Sequence, residues 1–368
     1  MRVGVIGGGQ LARMMVPPAV ALGIELRVLA EAPDSSARLA ATAVGDYRDA
    51  ATVLAFAAEV DVVTFDHEHV PQDVLARLEE SGVAVRPGRH ALEAAQDKIR
   101  MRERLAALDV PMPDWTVARD VAQLDAFLAA HGGVAVVKTP RGGYDGKGVR
   151  VVRAAADAAD WLADGEVLVE ELVGFRRELA QQIARRPSGG TAAWPLVETI
   201  QRDGVCAEVL APAPDGDAVA AEALRIAETV AAGLDVTGAL AVELFETTDG
   251  RVLVNELAMR PHNSGHWSID GAVTSQFEQH LRAVLDLPLG DPAPLAPVSV
   301  MVNVLGGPEG ATMPDRYAAA FAAQPGVKFH SYGKLSRPGR KVGHVTATGA
   351  DLDEVRARAR AAAAFFEH

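Results

Sequence analysis

The stretch Val242-Glu243-Leu244-Phe245-Glu246-Thr247-Thr248-Asp249-Gly250-Arg251-Val252-Leu253-Val254-Asn255-Glu256 settles how this chain is to be read. Two alternating apolar runs flank Asp249-Gly250. Asp-Gly in that setting is a strong hairpin signal, because a type I′ turn needs positive φ at both central residues. A two-residue loop sets Thr248 against Arg251, and counting outward puts Glu243 opposite Glu256. Cross-strand partners hold their Cβ atoms about 4.5–5.5 Å apart, so like charges placed there repel. Two carboxylates on one pleated face ask for a cation between them. Hard oxygen ligands suit Mg2+, which is usually shared with substrate phosphates. The alternative is a bulge that turns one glutamate to solvent. Downstream, Arg260-Pro261-His262-Asn263-Ser264-Gly265-His266-Trp267 is too polar and too crowded with donors for a core segment.

The surrounding composition narrows the field. A chain of 368 residues, 49% hydrophobic and 23% charged, has the makeup of a globular protein with two or three domains. Aromatic residues are only 5%, and alanine supplies much of the apolar content, so alanine-rich helices are expected to cover a sheet. The net charge of −13 argues against nucleic acid or an anionic membrane as the partner, and an anionic substrate would need local basic groups. Cys206 is the single cysteine, which excludes an intrachain disulfide framework and fits a reducing compartment. No apolar run is long enough for a membrane span, and the N-terminus enters a strand with no basic n-region. The expectation is a cytoplasmic protein.

At the N-terminus, strand 2–6 runs into Gly7-Gly8-Gly9-Gln10-Leu11-Ala12 and a helix through Leu22, and strand 26–30 ends at Glu31. Gly7-x-Gly9-x-x-Ala12 matches the relaxed dinucleotide fingerprint, with Glu31 near the ribose-reading position. The same glycines equally serve a tight strand-to-helix turn. Strand 60–65 carries Asp66, His67 and Glu68 at its carboxyl end, where open α/β sheets place ligands. A helix is expected over 91–108, carrying Gln96-Asp97-Lys98. Beyond it, strands at 134–138, 149–152, 167–172 and 178–184 meet short helices in an α+β pattern. A long helix over 217–234 precedes the hairpin, a helix over 276–285 follows it, and Pro292, Pro294 and Pro297 form a stiff linker. The tail reads as strand 298–304, helix 314–323, strands 327–332 and 342–347, and a helix from Asp351. The expected organisation is α/β followed by α+β, in three domains at 1–92, 93–290 (with a lid subdomain at about 113–174) and 291–368.

Gly142-Gly143-Tyr144-Asp145-Gly146-Lys147-Gly148 packs four glycines and a lysine between two strands. Backbone N–H groups of such a loop can converge on phosphate oxygens. It is not a Walker A motif, which needs a glycine where Arg141 stands and Ser or Thr where Gly148 stands. Lys138, on the preceding strand, can reach an α-phosphate or can be an edge-strand lysine. Glu170-Glu171-Leu172-Val173, with Glu178 after it, is either a hinge that holds adenine and ribose or a solvated turn.

Together these residues resemble one family, the 5-(carboxyamino)imidazole ribonucleotide synthases of the ATP-grasp ligase superfamily. The resemblance runs the whole length, through Gly7 to Leu11 with Met14-Met15, Gln96-Asp97-Lys98, Lys138 with the glycine-rich loop, Glu170 to Glu178 and Asn255-Glu256. It continues in Arg260 to His266, Gln276-Phe277-Glu278-Gln279-His280, His330-Ser331-Tyr332-Gly333-Lys334 and Arg337-Pro338-Gly339-Arg340-Lys341-Val342-Gly343-His344. The loop is typical of ATP-grasp enzymes generally; the His-Asn-Ser-Gly-His and Gly-Arg-Lys-Val-Gly-His pieces are more specific. The resemblance implies an ATP-grasp fold with an N-terminal Rossmann-like pre-ATP-grasp domain and a small C-terminal α+β domain.

It also implies a reaction of purine biosynthesis. ATP and bicarbonate give carboxyphosphate, the exocyclic amine of 5-aminoimidazole ribonucleotide takes the carboxyl group, and ADP and phosphate leave. On this likeness Lys98 and Lys138 contact ATP phosphates, and Gly143, Tyr144, Asp145, Gly146, Lys147, Gly148 and Val149 form the lid loop. Glu170, Glu171, Leu172, Val173 and Glu178 hold adenine and ribose, with Gln201 and Asn255 also at the nucleotide, and Glu243 and Glu256 hold Mg2+. Lys334, Arg340 and Lys341 clamp the ribonucleotide phosphate, beside Gln10 and Leu11. Glu68, His262, Asn263 and Ser264 orient the imidazole and bicarbonate, and Tyr144, Lys147, Arg260 and His262 are the candidate catalytic groups. A homodimer is implied. The chain departs from the family pattern at Ala12, Asp66, Gln201 and Met259, where Gly, Glu, His and Pro are usual. No lysine stands in a Met-Lys-Met setting that would accept biotin.

Three rivals remain. An NAD-dependent oxidoreductase explains residues 1 to 31 and leaves everything after Lys138 idle. Another ATP-grasp ligase, of the glycinamide ribonucleotide synthetase or formate-using transformylase type, would share the lid and carboxylates but differ at 260–266 and 333–344. A non-catalytic nucleotide-binding regulator would be expected to have lost Glu243 or Glu256, and both are present.

Overall fold

The computed structural model describes residues 1–143, 148–202, 204–307 and 309–367. The chain builds three sheets in succession. The first contains β1 (Arg2–Ile6), β2 (Glu25–Ala30), β3 (Ala41–Val44), β4 (Val62–Phe65) and β5 (Ala84–Val85), all parallel in the order β3-β2-β1-β4-β5. β4 is buried along its whole length and β1 beyond its first residue, as central parallel strands covered on both faces must be. Gly9 precedes the helix Gln10–Ala21. A Cβ there would lie 2.0 Å from Asp66 Oδ2, so a larger residue would have to push the Asp66 carboxylate away from the turn.

The helix expected over 91–108 is two helices, Arg89–Gln96 and Lys98–Ala107. Asp97 between them is extended, at φ −135° and ψ 111°, and its carboxylate accepts from the N–H groups of Ile99 (3.0 Å) and Arg100 (3.1 Å). An aspartate that can cap a new helix competes with continuing the old one. The break restarts the helix with Lys98 in its first turn.

The second sheet is antiparallel: β6 (Trp115–Ala118), β7 (Ala135–Lys138), β8 (Val149–Val152) and β9 (Val167–Glu171), in the order β6-β9-β7-β8. The third holds β10 (Phe175–Arg185), β11 (Thr191–Ala193), β12 (Val197–Arg202), β13 (Val205–Ala211), β14 (Gly238–Thr247), β15 (Val252–Ala258), β16 (Val298–Leu305), β17 (Lys328–Ser331) and β18 (Lys341–Gly349). Its order is β15-β14-β10-β12-β13-β16-β18-β17, with β11 against β10. The C-terminal strands thus extend the same sheet, through the β13–β16 pairing.

The turn of the β14–β15 hairpin differs from the two-residue expectation. Thr247 N–H donates to the Arg251 carbonyl at 2.9 Å, leaving the three-residue loop Thr248-Asp249-Gly250, in which only Gly250 has positive φ, at 84°. Gly250 therefore supplies the left-handed residue of a three-residue loop. The register is offset by one up to Leu244↔Val254, and a bulge at Asn255 restores Glu243↔Glu256. The predicted pairing holds, by a different route.

A hydrophobic cluster running from Ile6 and Phe65 through Met101 to Leu179, Ile226 and Val254 joins the first sheet to the third. Polar ties cross the same boundary. Arg86 donates to the Val284 carbonyl at 2.6 Å, and His280 lies 2.8 Å from Thr64 Oγ1. Among the described residues, no helix is long and apolar enough to cross a membrane.

Candidate active site

Lys98 and Arg102 stand one turn apart on the helix Lys98–Ala107 and therefore share a face. That face meets the bulged end of β15. Lys98 Nζ lies 2.8 Å from Glu256 Oε1, and Arg102 donates to the carbonyls of Val254 (3.1 Å) and Asn255 (2.9 Å). From the second sheet, Lys138 Nζ reaches Asn255 Oδ1 at 3.3 Å and Glu170 Oε2 at 2.7 Å. The same Glu170 carboxylate accepts from Arg102 Nε at 2.6 Å. Burial would push the Glu170 carboxyl up, but Arg102 and Lys138 together hold it below its ordinary value.

On the opposite strand, His262 Nε2 lies 3.1 Å from Glu243 Oε1. Ser264 N–H points at His262 Nδ1 (3.4 Å) and Ser264 Oγ lies 2.8 Å from the same atom, so Nδ1 accepts and Nε2 carries the proton toward Glu243. Gln182 in turn donates to Ser264 Oγ at 3.0 Å. Burial opposes ionisation of Glu243, and His262, Arg260 and Lys341 outweigh it, keeping the carboxyl below its ordinary value. Glu178 goes the other way: burial raises it, Glu243 adds to the rise, and Gln201, donating at 3.1 Å, only partly offsets this.

Glu243 and Glu256 fit Mg2+. They are cross-strand partners offering hard oxygen donors, with the Asn255 side-chain oxygen next to one of them. Among the described residues no group of three or more His, Cys, Asp or Glu could hold a metal by itself. Two carboxylates are the donor set expected where substrate phosphates complete the coordination.

The rest of the nucleotide-side candidates divide. Glu170 is buried and occupied by Arg102 and Lys138, which sets its carboxylate apart from adenine and ribose. Glu171 accepts from Asp114 N–H at 3.1 Å, and Leu172 and Val173 follow β9. Gly143, Gly148 and Val149 are the described ends of the glycine-rich loop. Val149 pairs with Lys138, and Thr139 N–H donates to the Gly148 carbonyl at 3.0 Å. Tyr144, Asp145, Gly146 and Lys147 lie outside the described residues.

At the carboxyl ends of the first sheet, Glu68 meets the chain rather than an open pocket. It accepts from Met259 N–H at 2.7 Å and pairs with Arg260 at 3.2 Å, fixing the start of the polar segment 260–266. Gln10 and Lys334, far apart in sequence, meet at 2.5 Å. Lys341 is near enough to Glu243 to act on its charge, whereas Arg340 is exposed and donates to the Leu335 carbonyl at 3.2 Å.

Two candidates need correction. Leu11 is only 6% exposed and packs in an apolar cluster with Val3, Val5 and Val28, which takes its side chain out of the site. Asn263 is buried, and its amide is paired reciprocally with that of Asn303 (3.0 and 2.7 Å), a link between the segment and β16. His266 is likewise internal: Gln276 holds its Nδ1 at 2.8 Å, and burial keeps its pKa well below the ordinary value.

The N-terminal turn also answers the dinucleotide reading. Gly8 N–H donates to Glu31 Oε2 (3.1 Å) and Ala12 N–H to Asp66 Oδ1 (2.7 Å), so carboxylates of the chain occupy donors that a pyrophosphate would use. His67 and Gly8 together hold Glu31 down to about 2.

Arg102 was not among the sequence candidates. Its signal was present: it lies four residues after Lys98, on the same helical face, with no apolar partner in the pattern to explain a basic residue there.

Comparison with known proteins bears on all three segments. Residues 1–96 match the family model described as the ribonucleotide synthetase preATP-grasp domain, 103–277 the ATP-grasp domain, and 299–358 the phosphoribosylaminoimidazole carboxylase C-terminal domain. The N5-carboxyaminoimidazole ribonucleotide synthase of Mycobacterium tuberculosis is 52% identical over 100% of this chain and 88% of its own length. The crystal structure of the synthetase from Thermus thermophilus superposes with a TM-score of 0.90 at 36% identity, covering 100% of this chain and 99% of that one. That of the Aspergillus clavatus synthase, in complex with ADP and 5-aminoimidazole ribonucleotide, gives 0.89 at 31% identity, over 99% of this chain and 98% of that one. By sequence along its whole length and by fold, this chain belongs to the N5-carboxyaminoimidazole ribonucleotide synthases, ATP-dependent ligases of the ATP-grasp superfamily.

Proposed function

We propose that this chain catalyses the ATP-dependent carboxylation of 5-aminoimidazole ribonucleotide by bicarbonate, through carboxyphosphate, with its site where β14 and β15 meet β7 and the end of β4. The observation that carries the residue assignment is the convergence of Lys98, Lys138 and Glu256 on the Asn255 bulge, opposite the Glu243–His262 pair. Lys98, now held by Glu256, and Lys138, now held by Glu170 and Asn255, present their ammonium groups to the ATP phosphates. Glu243 and Glu256 hold Mg2+, which when bound neutralises charge on the phosphoryl group in transfer. Glu178, Gln201 and residues 171–173 receive the nucleoside, with Tyr144 and Lys147 of the glycine-rich loop assigned to its phosphates. Gln10, Lys334, Arg340 and Lys341 receive the ribonucleotide phosphate, for which Arg and Lys supply the charge that a chain of net −13 otherwise lacks. Arg260, set by Glu68, and His262, set by Ser264, face bicarbonate and the reacting amine.

The test is ADP formation by the purified protein with bicarbonate. Aminoimidazole ribonucleotide should support turnover, and glycinamide ribonucleotide should not. Turnover with glycinamide ribonucleotide and not with aminoimidazole ribonucleotide would favour the other ribonucleotide ligases. We further infer a cytoplasmic homodimer, read by sedimentation of the purified chain and by cell fractionation.

A further inference from the structure

Arg102 is 0% exposed, an unusual fate for an arginine. Each of its guanidinium nitrogens has an acceptor: Nε to Glu170, and the two terminal nitrogens to the Val254 and Asn255 carbonyls. Glu170 divides its two oxygens between Arg102 (2.6 Å) and Lys138 (2.7 Å). One buried carboxylate therefore holds two cations, the first sealed in the interior and the second on the strand that leads into the glycine-rich loop. The two carbonyls on Arg102 flank the bulge that brings Glu256 opposite Glu243. A planar fork can satisfy a carboxylate and two carbonyls at once; a lysine ammonium in the same place cannot match that geometry.

We propose that Arg102 is a positioning residue for the nucleotide: through Glu170 it fixes Lys138, and through two carbonyls it pins the bulge that presents Asn255 and Glu256. The inference rests on the reading of Lys138 as an ATP-phosphate contact. Without Arg102, Glu170 would keep Lys138 of these two cations and draw it inward, and β15 could relax its bulge. The cost should fall on ATP and not on the ribonucleotide, whose candidate residues lie at the carboxyl ends of the first sheet and on segment 334–341.

The test uses the full-length enzyme and bicarbonate-dependent ADP formation, with R102M, R102K, E170Q, K138M and the double variant R102M/K138M. R102M is expected to raise the KM for ATP about tenfold or more, as for loss of a charge-assisted contact, while leaving the KM for the ribonucleotide nearly unchanged. R102K should recover part of the loss. In the K138M background R102M should cost clearly less than it does alone, because the share that runs through Lys138 is already gone and only the share that runs through the bulge remains. An equal rise for both substrates, or full additivity with K138M, would overturn the proposal by reducing Arg102 to a structural residue. If R102M fails to fold, E170Q carries the same test: it should show the same ATP-selective rise, and unchanged ATP kinetics would refute the relay. K138M alone separates the two layers. If it leaves the KM for ATP untouched, the reading of Lys138 fails and the inference with it; if it weakens ATP while R102M and E170Q do not, only the inference fails.

Discussion

Glu243 lies directly across the β14–β15 hairpin from Glu256, and it does so because two irregularities cancel: a three-residue turn shifts the register by one, and the Asn255 bulge shifts it back. Side chains alternate faces along a strand, so either irregularity alone would have put one carboxylate on the wrong side. With both in place, each carboxylate meets a cation or imidazole from outside the hairpin, Lys98 for Glu256 and His262 for Glu243.

Glu256→Gln should therefore abolish bicarbonate-dependent ADP formation without unfolding the protein, since the side chain is partly exposed and an amide can still accept from Lys98. Turnover across a Mg2+ titration, alongside a thermal melt, is the measurement. Unchanged turnover would remove Glu256 from the metal site.

Arg340→Ala should raise the apparent KM for the ribonucleotide more than that for ATP, by about 1.5–3 kcal/mol in transition-state terms if it makes a charged hydrogen bond. The side chain is exposed and donates to the Leu335 carbonyl on the surface, so stability should hardly change. Equal effects on both substrates would move Arg340 elsewhere.

Glu208 is 1% exposed on β13 and accepts from Arg356 (2.8 Å) and Arg360 (2.8 Å) of the helix Leu352–Ala363. Glu208→Ala should cost about 1–3 kcal/mol, because both arginines can turn back to water but the helix loses its polar anchor. A denaturant midpoint equal to that of the parent protein would show that the apolar contacts of this helix suffice.

His280 gives a pH dependence of stability. Its Nδ1 accepts from Ala239 N–H at 3.0 Å, which leaves the proton on Nε2 for Thr64 Oγ1 at 2.8 Å, and burial pushes its pKa from 6.5 down to about 3. Between those values the unfolded chain binds a proton that the folded chain does not. Stability is thus unaffected by this group above about 6.5 and falls as pH drops from there toward 3, by at most ~1.4 kcal/mol per unit. His266 and His344 are displaced in the same direction, again by burial. Urea midpoints at pH 7.5 and 5.5 should show the drop, and coincident midpoints would contradict it.

Part of the candidate site is legible in the sequence. Lys98, Lys138, Glu68, His262 and the two glutamates carry chemistry that their local sequence does not need for folding, and the structure brings them to a common region. Leu11 and Asn263 were misjudged for a common reason: a residue inside a functional motif need not point at the ligand. Leu11 belongs to the buried side of its helix, and Asn263 finds Asn303 from a strand forty residues away.

The sequence by itself marked the hairpin and the strands and helices with the clearest pattern, among them β1, β2, β4, β7 and the helix Asp217–Gly233, because period, turn residues and charge are local properties that need no partner. Only the tertiary structure decided that the C-terminal strands would continue the large sheet and that a buried Arg102 would tie Glu170 to the Asn255 bulge. Those outcomes depend on which donors meet which acceptors once water is excluded, and such pairings between distant residues leave no mark in local sequence.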